Sequence, residues 1–412
     1  ESVLSIASRS RFEHIHVTGT QYRGQYGTVY EALAGIRSHQ EDIALRILDS
    51  PESSASEFAD RIADTVGRFA PVTAHERLVT VLDHGARPRP WMATTTIDET
   101  GDRIINCASL DGDDPDLNRD CVAVGVVEEP NGSRFEPGDV VTALVRRPKD
   151  PKSRFAENAE LDMAPPGTVH ECGITGEHGY MAEYFTAEPK CLVSLPESRR
   201  DYGFFAEPAS IVEKALEQAF AARSGFDWRP ENAFVLGNGN LGLLALARLS
   251  TGQEFDRTYC LGRRDPPDPT IAFIESVGAT YVDSRETALS EFPDVHRPAD
   301  FVFETTGSPR HAVEVVSALG PNGIATLQGI PGESAFEIDG GKFHSELVVN
   351  NKGILGVVNS RKPHFRAAVD WLSEAPESLL DELVSGVYAV DEVEAALDDS
   401  EDTIKTVVTF ER

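Results

Sequence analysis

The chain has 412 residues and a formal net charge of −30, with 38 Lys and Arg against 68 Asp and Glu. That length holds two or three domains with ample core. The acidic excess argues against a nucleic-acid partner, whose phosphates it would repel. The acid is spread along the chain, with short clusters at Asp111–Asp116, Asp381–Glu382 and Asp398–Asp402, and no lysine precedes Lys149. Such a composition suits high salt, which screens self-repulsion. Cys107, Cys121, Cys172, Cys191 and Cys260 form no CxxC pair and are odd in number, so no disulfide framework is expected. No apolar run reaches membrane-spanning length and no leader pattern opens the chain. A soluble cytoplasmic protein without a membrane partner is the expectation.

In chain order, residues 1–98 form a first piece of distinct character. Between 120 and 206, short β-like runs (Val122–Val127, Val140–Val145, Ala182–Phe185, Lys190–Leu195) are broken by Pro, Gly and acidic turns, with Glu-Pro-Gly-Asp at 136–139 as the clearest. They predict a small antiparallel β domain. Glu207–Arg223 predicts a helix, with apolar positions at Ile211, Val212, Ala215, Leu216 and Ala219. From 232 onward strands alternate with helices. Strands are expected at Ala233–Leu236, Thr258–Leu261, Thr280–Val282, Asp300–Phe303, Gly323–Gln328 and Gly353–Val358. Helices are expected at Pro269–Val277, Arg310–Leu319 and His344–Asn350. This is an α/β pattern, a Rossmann-type doubly wound parallel sheet. A helix (His364–Leu372) and a closing strand (Thr403–Phe410) then return to the first β domain.

The most informative stretch begins at the first of those strands. Gly237-Asn238-Gly239-Asn240-Leu241-Gly242 follows an apolar strand and opens an apolar-periodic helix, which is the order a dinucleotide site needs. The first glycine permits the turn, the second lets a pyrophosphate approach, and the third lets helix and strand pack closely. Phosphates then meet free N–H groups at the helix N-terminus. The next strand ends in Gly262-Arg263-Arg264, where NAD sites place an Asp or Glu. Two guanidiniums suit a 2′-phosphate, so NADP is the expected cofactor, with NAD possible.

A β domain before a doubly wound nucleotide domain is the medium-chain alcohol dehydrogenase plan. From about residue 98 the chain resembles one branch of it, the haloarchaeal glucose 1-dehydrogenases. The likeness rests on VAVGVV (122–127), DMAPPG (162–167), EHGYMAEYF (177–185), EPASIVEKALEQA (207–219), LGNGNLGLL (236–244), CLGRRDPPDPTI (260–271), ATYVDSR (279–285), PNGIATLQGIP (321–331) and VVNS (357–360). The resemblance implies oxidation of β-D-glucose at C1 to gluconolactone with NADP or NAD at a zinc centre. It implies domains over 99–209 with 360–412 (a GroES-like catalytic domain, apparently truncated) and over 210–359 (the nucleotide-binding domain), and a homodimer. By position it makes Asp98, Cys121 and Glu207 the metal ligands, and gives Thr100 and Glu207 catalytic roles. Glu171, Glu207 and Asn359 would contact the sugar, and Thr306, Val357, Val358 and Asn359 would join the glycine turn, Gly262, Arg263 and Arg264 at the cofactor. Cys121 stands where the family has His, and Val122 where it has Glu. Residue by residue, Asp98 also reads as a chance match, Cys121 as a buried small hydrophobe and Glu207 as a helix-start acid. His178, Cys172 and Cys191 read as structural.

The first piece belongs elsewhere. FEHIHVTGTQYRGQYGTVYEALAG (12–35), IALRILD (43–49) and HERLVTVLDHGARPRPWMATTTIDE (75–99) resemble the glycine-rich hairpin, lysine-bearing strand and hinge strands of a protein kinase N-lobe. Residues 1–98 thus read as a kinase N-lobe-like α+β segment. Gly24 and Gly27 match two of the glycines, but Tyr22 replaces the first and Arg46 the nucleotide-binding lysine. No HRD or DFG motif follows, and phosphoryl transfer needs both acids. The alternative to an active dehydrogenase is therefore a catalytically impaired fusion that binds nucleotide and serves as an interaction module, with kinase activity ranked last.

Overall fold

The computed structural model describes residues 122–182, 184–330, 335–396 and 403–410, together with the backbone of strands at 78–83, 90–95 and 102–107. Strands β1 (Leu78–Asp83) and β2 (Pro90–Thr95) pair antiparallel, Leu78 opposite Thr95 and Asp83 opposite Pro90. This hairpin falls on the segment read as hinge strands. Gly24, Gly27 and Arg46 lie outside the described residues.

A seven-stranded sheet follows. Strands β3 (Asp102–Cys107), β4 (Ala123–Val127) and β5 (Val140–Ala143) lie side by side in it. The 136–139 turn joins β4 to β5: Gly138 takes φ +95° and donates to the Val127 carbonyl at 2.8 Å. Strands β6 (Arg146–Pro148), β7 (Val169–Cys172) and β8 (Gly176–Glu177) make a small separate sheet. Strands β9 (Tyr184–Phe185) and β10 (Leu192–Leu195) rejoin the larger one, β9 on β3 and β10 on β5.

Helix α1 (Ala206–Ala222) comes next. It buries Val212, Ala215, Leu216 and Ala219 as its periodicity requires, but also Glu207, Ser210 and Lys214. Burying three polar residues on one helix needs partners for each.

Six parallel strands then build the second sheet. They are β11 (Asn232–Leu236), β12 (Arg257–Gly262), β13 (Thr280–Asp283), β14 (Ala299–Glu304), β15 (Leu319–Leu327) and β16 (Gly353–Gly356). Their order, β13-β12-β11-β14-β15-β16, reverses direction between β11 and β14, which creates a crevice at the carboxyl ends of those strands. All five residues of β11 are buried, as a central parallel strand covered on both faces demands. Crossovers are made by α2 (Asn240–Thr251), α3 (Pro269–Ser276), α4 (Pro309–Ala318) and α5 (Gly340–Val349). Helix α5 begins four residues earlier than expected because Asp339 caps it, accepting from the Lys342 N–H at 2.9 Å.

Helix α6 (Lys362–Glu374) packs along α1, and strands β17 (Gly386–Ala389) and β18 (Thr406–Thr409) return to the seven-stranded sheet, with β18 against β3. Strand β3 is thus paired on both sides, by β4 and β18. Strand β16 stops two residues short of its expected end, at Gly356. There the chain turns away through Asn359, a non-glycine residue at φ +56°.

Candidate active site

The crevice at the carboxyl ends of the parallel strands gathers the glycine turn, the end of β12, the turn after β14 and the segment after β16. Gly237 takes φ +107°, and a Cβ on it would approach Thr305 Oγ1 to 2.7 Å. Gly242 sits so close to the turn that a Cβ would lie 1.9 Å from the Gly237 carbonyl oxygen. Gly239, the residue before α2, has open space where a Cβ would point. The three glycines therefore make a turn, a close contact and an unobstructed approach to the helix N-terminus, as a phosphate cradle requires. Asn238, Asn240 and Leu241 are partly buried around it, and Asn238 Nδ2 donates to Thr270 Oγ1 at 2.7 Å across the end of β12.

Beyond Gly262, Arg263 is exposed and Arg264 partly so, 4.0 Å from the Asp268 carboxylate. Tyr281 fixes this loop. Its hydroxyl accepts from the Arg264 N–H and donates to the Arg264 carbonyl, both at 2.9 Å. Arg285 binds Asp283 and Asp265, each at 2.6 Å. The acid at the end of β13 is thereby already matched by another cation, which leaves Arg263 facing solvent. Thr306 lies at the end of β14. Its N–H donates to the buried Glu304 at 2.7 Å, and its hydroxyl reaches Glu304 and His311 Nδ1.

Helix α1 carries the second half of the site. Glu207, in its first turn, is 7% exposed; burial pushes its carboxyl up to about 7, against the pull of the Lys405 charge. A carboxylate so poorly solvated gains from a further cation beside it. Three residues on, Ser210 shares a short hydrogen bond with Ser360, which ties α1 to the Val357–Ser360 turn. In that turn Val357 is buried and donates to the Leu327 carbonyl at 2.9 Å, and Val358 is half exposed. Asn359 is buried, its side-chain oxygen accepting from the Ser360 N–H at 2.9 Å. Glu171, on β7, is held by Arg146 Nε at 2.8 Å. His178 is exposed, and Cys172 and Cys191 are buried free thiols.

Asp98, Thr100 and Cys121 lie outside the described residues, and among the described residues no cluster of three His, Cys, Asp or Glu could hold a metal. Glu207 alone of the expected ligand set is described. Lys214, Asp162, Arg146 and Tyr281 were not singled out from the sequence. Asp162, Lys214 and Tyr281 fall inside the DMAPPG, EPASIVEKALEQA and ATYVDSR motifs, and Lys214 also stands seven residues after Glu207 on the same helical face.

A doubly wound sheet with a glycine cradle at its first turn, set beside an antiparallel β domain, defines a dinucleotide-dependent dehydrogenase of the medium-chain class. The family described as glucose dehydrogenase C-terminus matches residues 200–410. The chain is 68% identical to glucose 1-dehydrogenase 2 of Haloterrigena turkmenica over 316 residues, which is 76% of this chain and 89% of that protein. It is 51% identical to glucose 1-dehydrogenase of Haloferax mediterranei over 290 residues, 70% of this chain and 81% of the relative. A solved structure of Haloferax mediterranei glucose dehydrogenase in complex with NADP, Zn and gluconolactone superimposes with a TM-score of 0.76 at 43% identity, covering 82% of this chain and 99% of that one. The chain belongs to the glucose dehydrogenase family.

Proposed function

We propose that this chain oxidises D-glucose, or a closely related aldose, at C1 to the lactone, with NADP as hydride acceptor and with zinc. The observation that carries the reading is the intact phosphate cradle followed by Arg263 and Arg264, in a chain 68% identical to a glucose 1-dehydrogenase. When bound, zinc supplies Lewis acidity at the sugar C1 oxygen and NADP supplies the hydride acceptor. Glu207, with Asp98 and Cys121, would hold the metal, and Thr100 would contact the reacting hydroxyl. The buried Glu207 carboxyl fits that use because a cation restores its ionised form. Glu171 and Asn359 orient the sugar hydroxyls, and the Val357–Val358 segment and Thr306 border the cofactor. Arg263 and Arg264 face the 2′-phosphate, with the Arg264 backbone held by Tyr281.

A homodimer through the nucleotide-binding domain is part of this reading. Val348 and Val349 on α5 are 64% and 74% exposed, and β16 is an edge strand beside them. Sedimentation gives the mass. The acidic surface speaks against nucleic acid, and no described helix is long and apolar enough to cross a membrane.

Glucose-dependent NADPH formation in high salt tests the function. Turnover should vanish on chelation and return with zinc; NADP binding without turnover would instead support a non-catalytic nucleotide-binding module. Replacing Arg263 and Arg264 with Ala should raise KM for NADP about tenfold or more, since a charge-assisted hydrogen bond contributes about 1.5–3 kcal/mol. KM for NAD should hardly move, and an equal loss for both cofactors would refute the phosphate role.

A further inference from the structure

The two residues assigned to the sugar hydroxyls, Glu171 and Asn359, stand on separate elements, yet a continuous run of polar contacts joins them. Arg146 Nε meets Glu171 at 2.8 Å, and its Nη1 donates to the Leu161 and Asp162 carbonyls at 3.2 and 3.0 Å. The Asp162 carboxylate meets Lys214 Nζ at 2.9 Å, and Lys214 donates to the Val358 carbonyl at 3.0 Å, one residue before Asn359. Lys214 and Asp162 side chains are each 2% exposed.

A buried ion pair is a poor stability device, because desolvating both charges offsets most of their attraction and apolar replacements are often neutral. The position of this one suggests another use. It ties the carbonyl that precedes Asn359, a residue held in the left-handed region, to the loop that braces Glu171. A left-handed asparagine costs free energy and persists where its surroundings over-determine it. Asp162 also borders a cavity of about 360 Å³ together with Glu217, Arg361 and His364. Its second carboxylate oxygen is buried with no hydrogen-bond partner. The carboxylate is therefore anchored through one oxygen only, on Lys214.

We propose that Arg146, Asp162 and Lys214 are positioning residues that couple the sugar carboxylate Glu171 to the cofactor-side turn at Val358–Asn359, so that each ligand prepares the site for the other. The proposal rests on assigning Glu171 and Asn359 to the sugar and Val358 to the cofactor. Sugar held by Glu171 fixes Arg146 and thus the Asp162 segment. Asp162 then holds Lys214 on the Val358 carbonyl and keeps the turn in its binding shape. Cofactor against the same turn acts along the chain in reverse, as reciprocal linkage requires.

The test uses NADP with gluconolactone, a pair that cannot turn over, and measures each dissociation constant alone and with the other ligand saturating. In the unaltered chain, lactone should bind about 5- to 150-fold more tightly with NADP present, the usual range of a coupling free energy. In Lys214→Met and Asp162→Asn that factor should fall below about twofold, whatever weakening each ligand shows when it binds alone. The double variant should lose no more than either single one. Arg146→Lys, which keeps the charge but loses the fork between Glu171 and the two carbonyls, gives the same reading should the buried variants fail to fold. Coupling that survives in the variants, coupling absent from the unaltered chain, or a loss confined to one ligand's own affinity would each overturn the proposal. Failure of the unaltered chain to bind NADP or lactone at all would instead sink the functional reading beneath it.

Discussion

A methyl group at Gly242 would lie 1.9 Å from a backbone oxygen, whereas one at Gly239 would meet nothing within 4 Å. The two glycines therefore serve different ends, and substitution separates them. Gly242→Ala should destabilise the domain by about 1–3 kcal/mol, the cost of overpacking, and reduce NADP binding with it. Gly239→Ala should leave thermal stability within about 0.5 kcal/mol of the original, yet weaken NADP, because only the ligand needs that space. Thermal melts and cofactor titration read both; equal melting losses would contradict the division. The spacing of these glycines was legible in the sequence because each role is local. Tyr281 was not, since its grip on Arg264 spans seventeen positions and depends on parallel pairing of β12 and β13.

Helix α1 shows the same limit over a longer span. Its apolar face could be read from spacing, but Glu207, Ser210, Lys214 and Glu217 form a polar face toward the chain after β16. Ser210 meets Ser360, Lys214 meets the Val358 carbonyl, and Glu217 meets Arg361 and His364 at 3.0 and 3.3 Å. His364 adds a pH response. Burial holds its pKa below the ordinary value, with the Glu217 charge opposing, and its Nδ1 accepts from the Arg361 N–H at 3.1 Å. The folded protein thus binds this proton less readily than the unfolded chain does. Its contribution is present above the unfolded pKa of about 6.5 and is lost as pH falls through the lowered folded value. His364→Gln, which keeps an acceptor without a titrating ring, should flatten the acid side of a melting-temperature profile. An unchanged acid limb would mean that other groups set it.

For the molecule as a whole, the charge of −30 is the governing quantity. Self-repulsion acts over about 10 Å at 0.1 M salt and about 3 Å at 1 M, so the melting temperature should rise steadily across that range. A flat profile would remove salt screening as a stabilising factor. The architecture brings strands drawn from 102–195 into one sheet with strands from 386–409, while the parallel sheet is built from the chain between them. Both strand types were legible, because a covered parallel strand is apolar throughout and a half-exposed antiparallel one is interrupted. Strands β3, β7 and β17 were not expected, and the side-by-side order of each sheet is set by pairing between distant segments.

The sequence by itself determined the class of sheet, the glycine turn between β11 and α2 and the arginine pair at the end of β12. Those features depend on residues a few positions apart, where backbone geometry leaves few alternatives. Tertiary structure alone decided that Asp162, Lys214 and Val358 would meet across separations of 52 and 144 residues. It also decided that three polar residues of α1 would be buried, and that the chain after β16 would leave its strand early. Nothing local encodes such contacts, because a buried charge is tolerable only where a distant partner arrives, and the packing of two sheets about α1 sets that arrival.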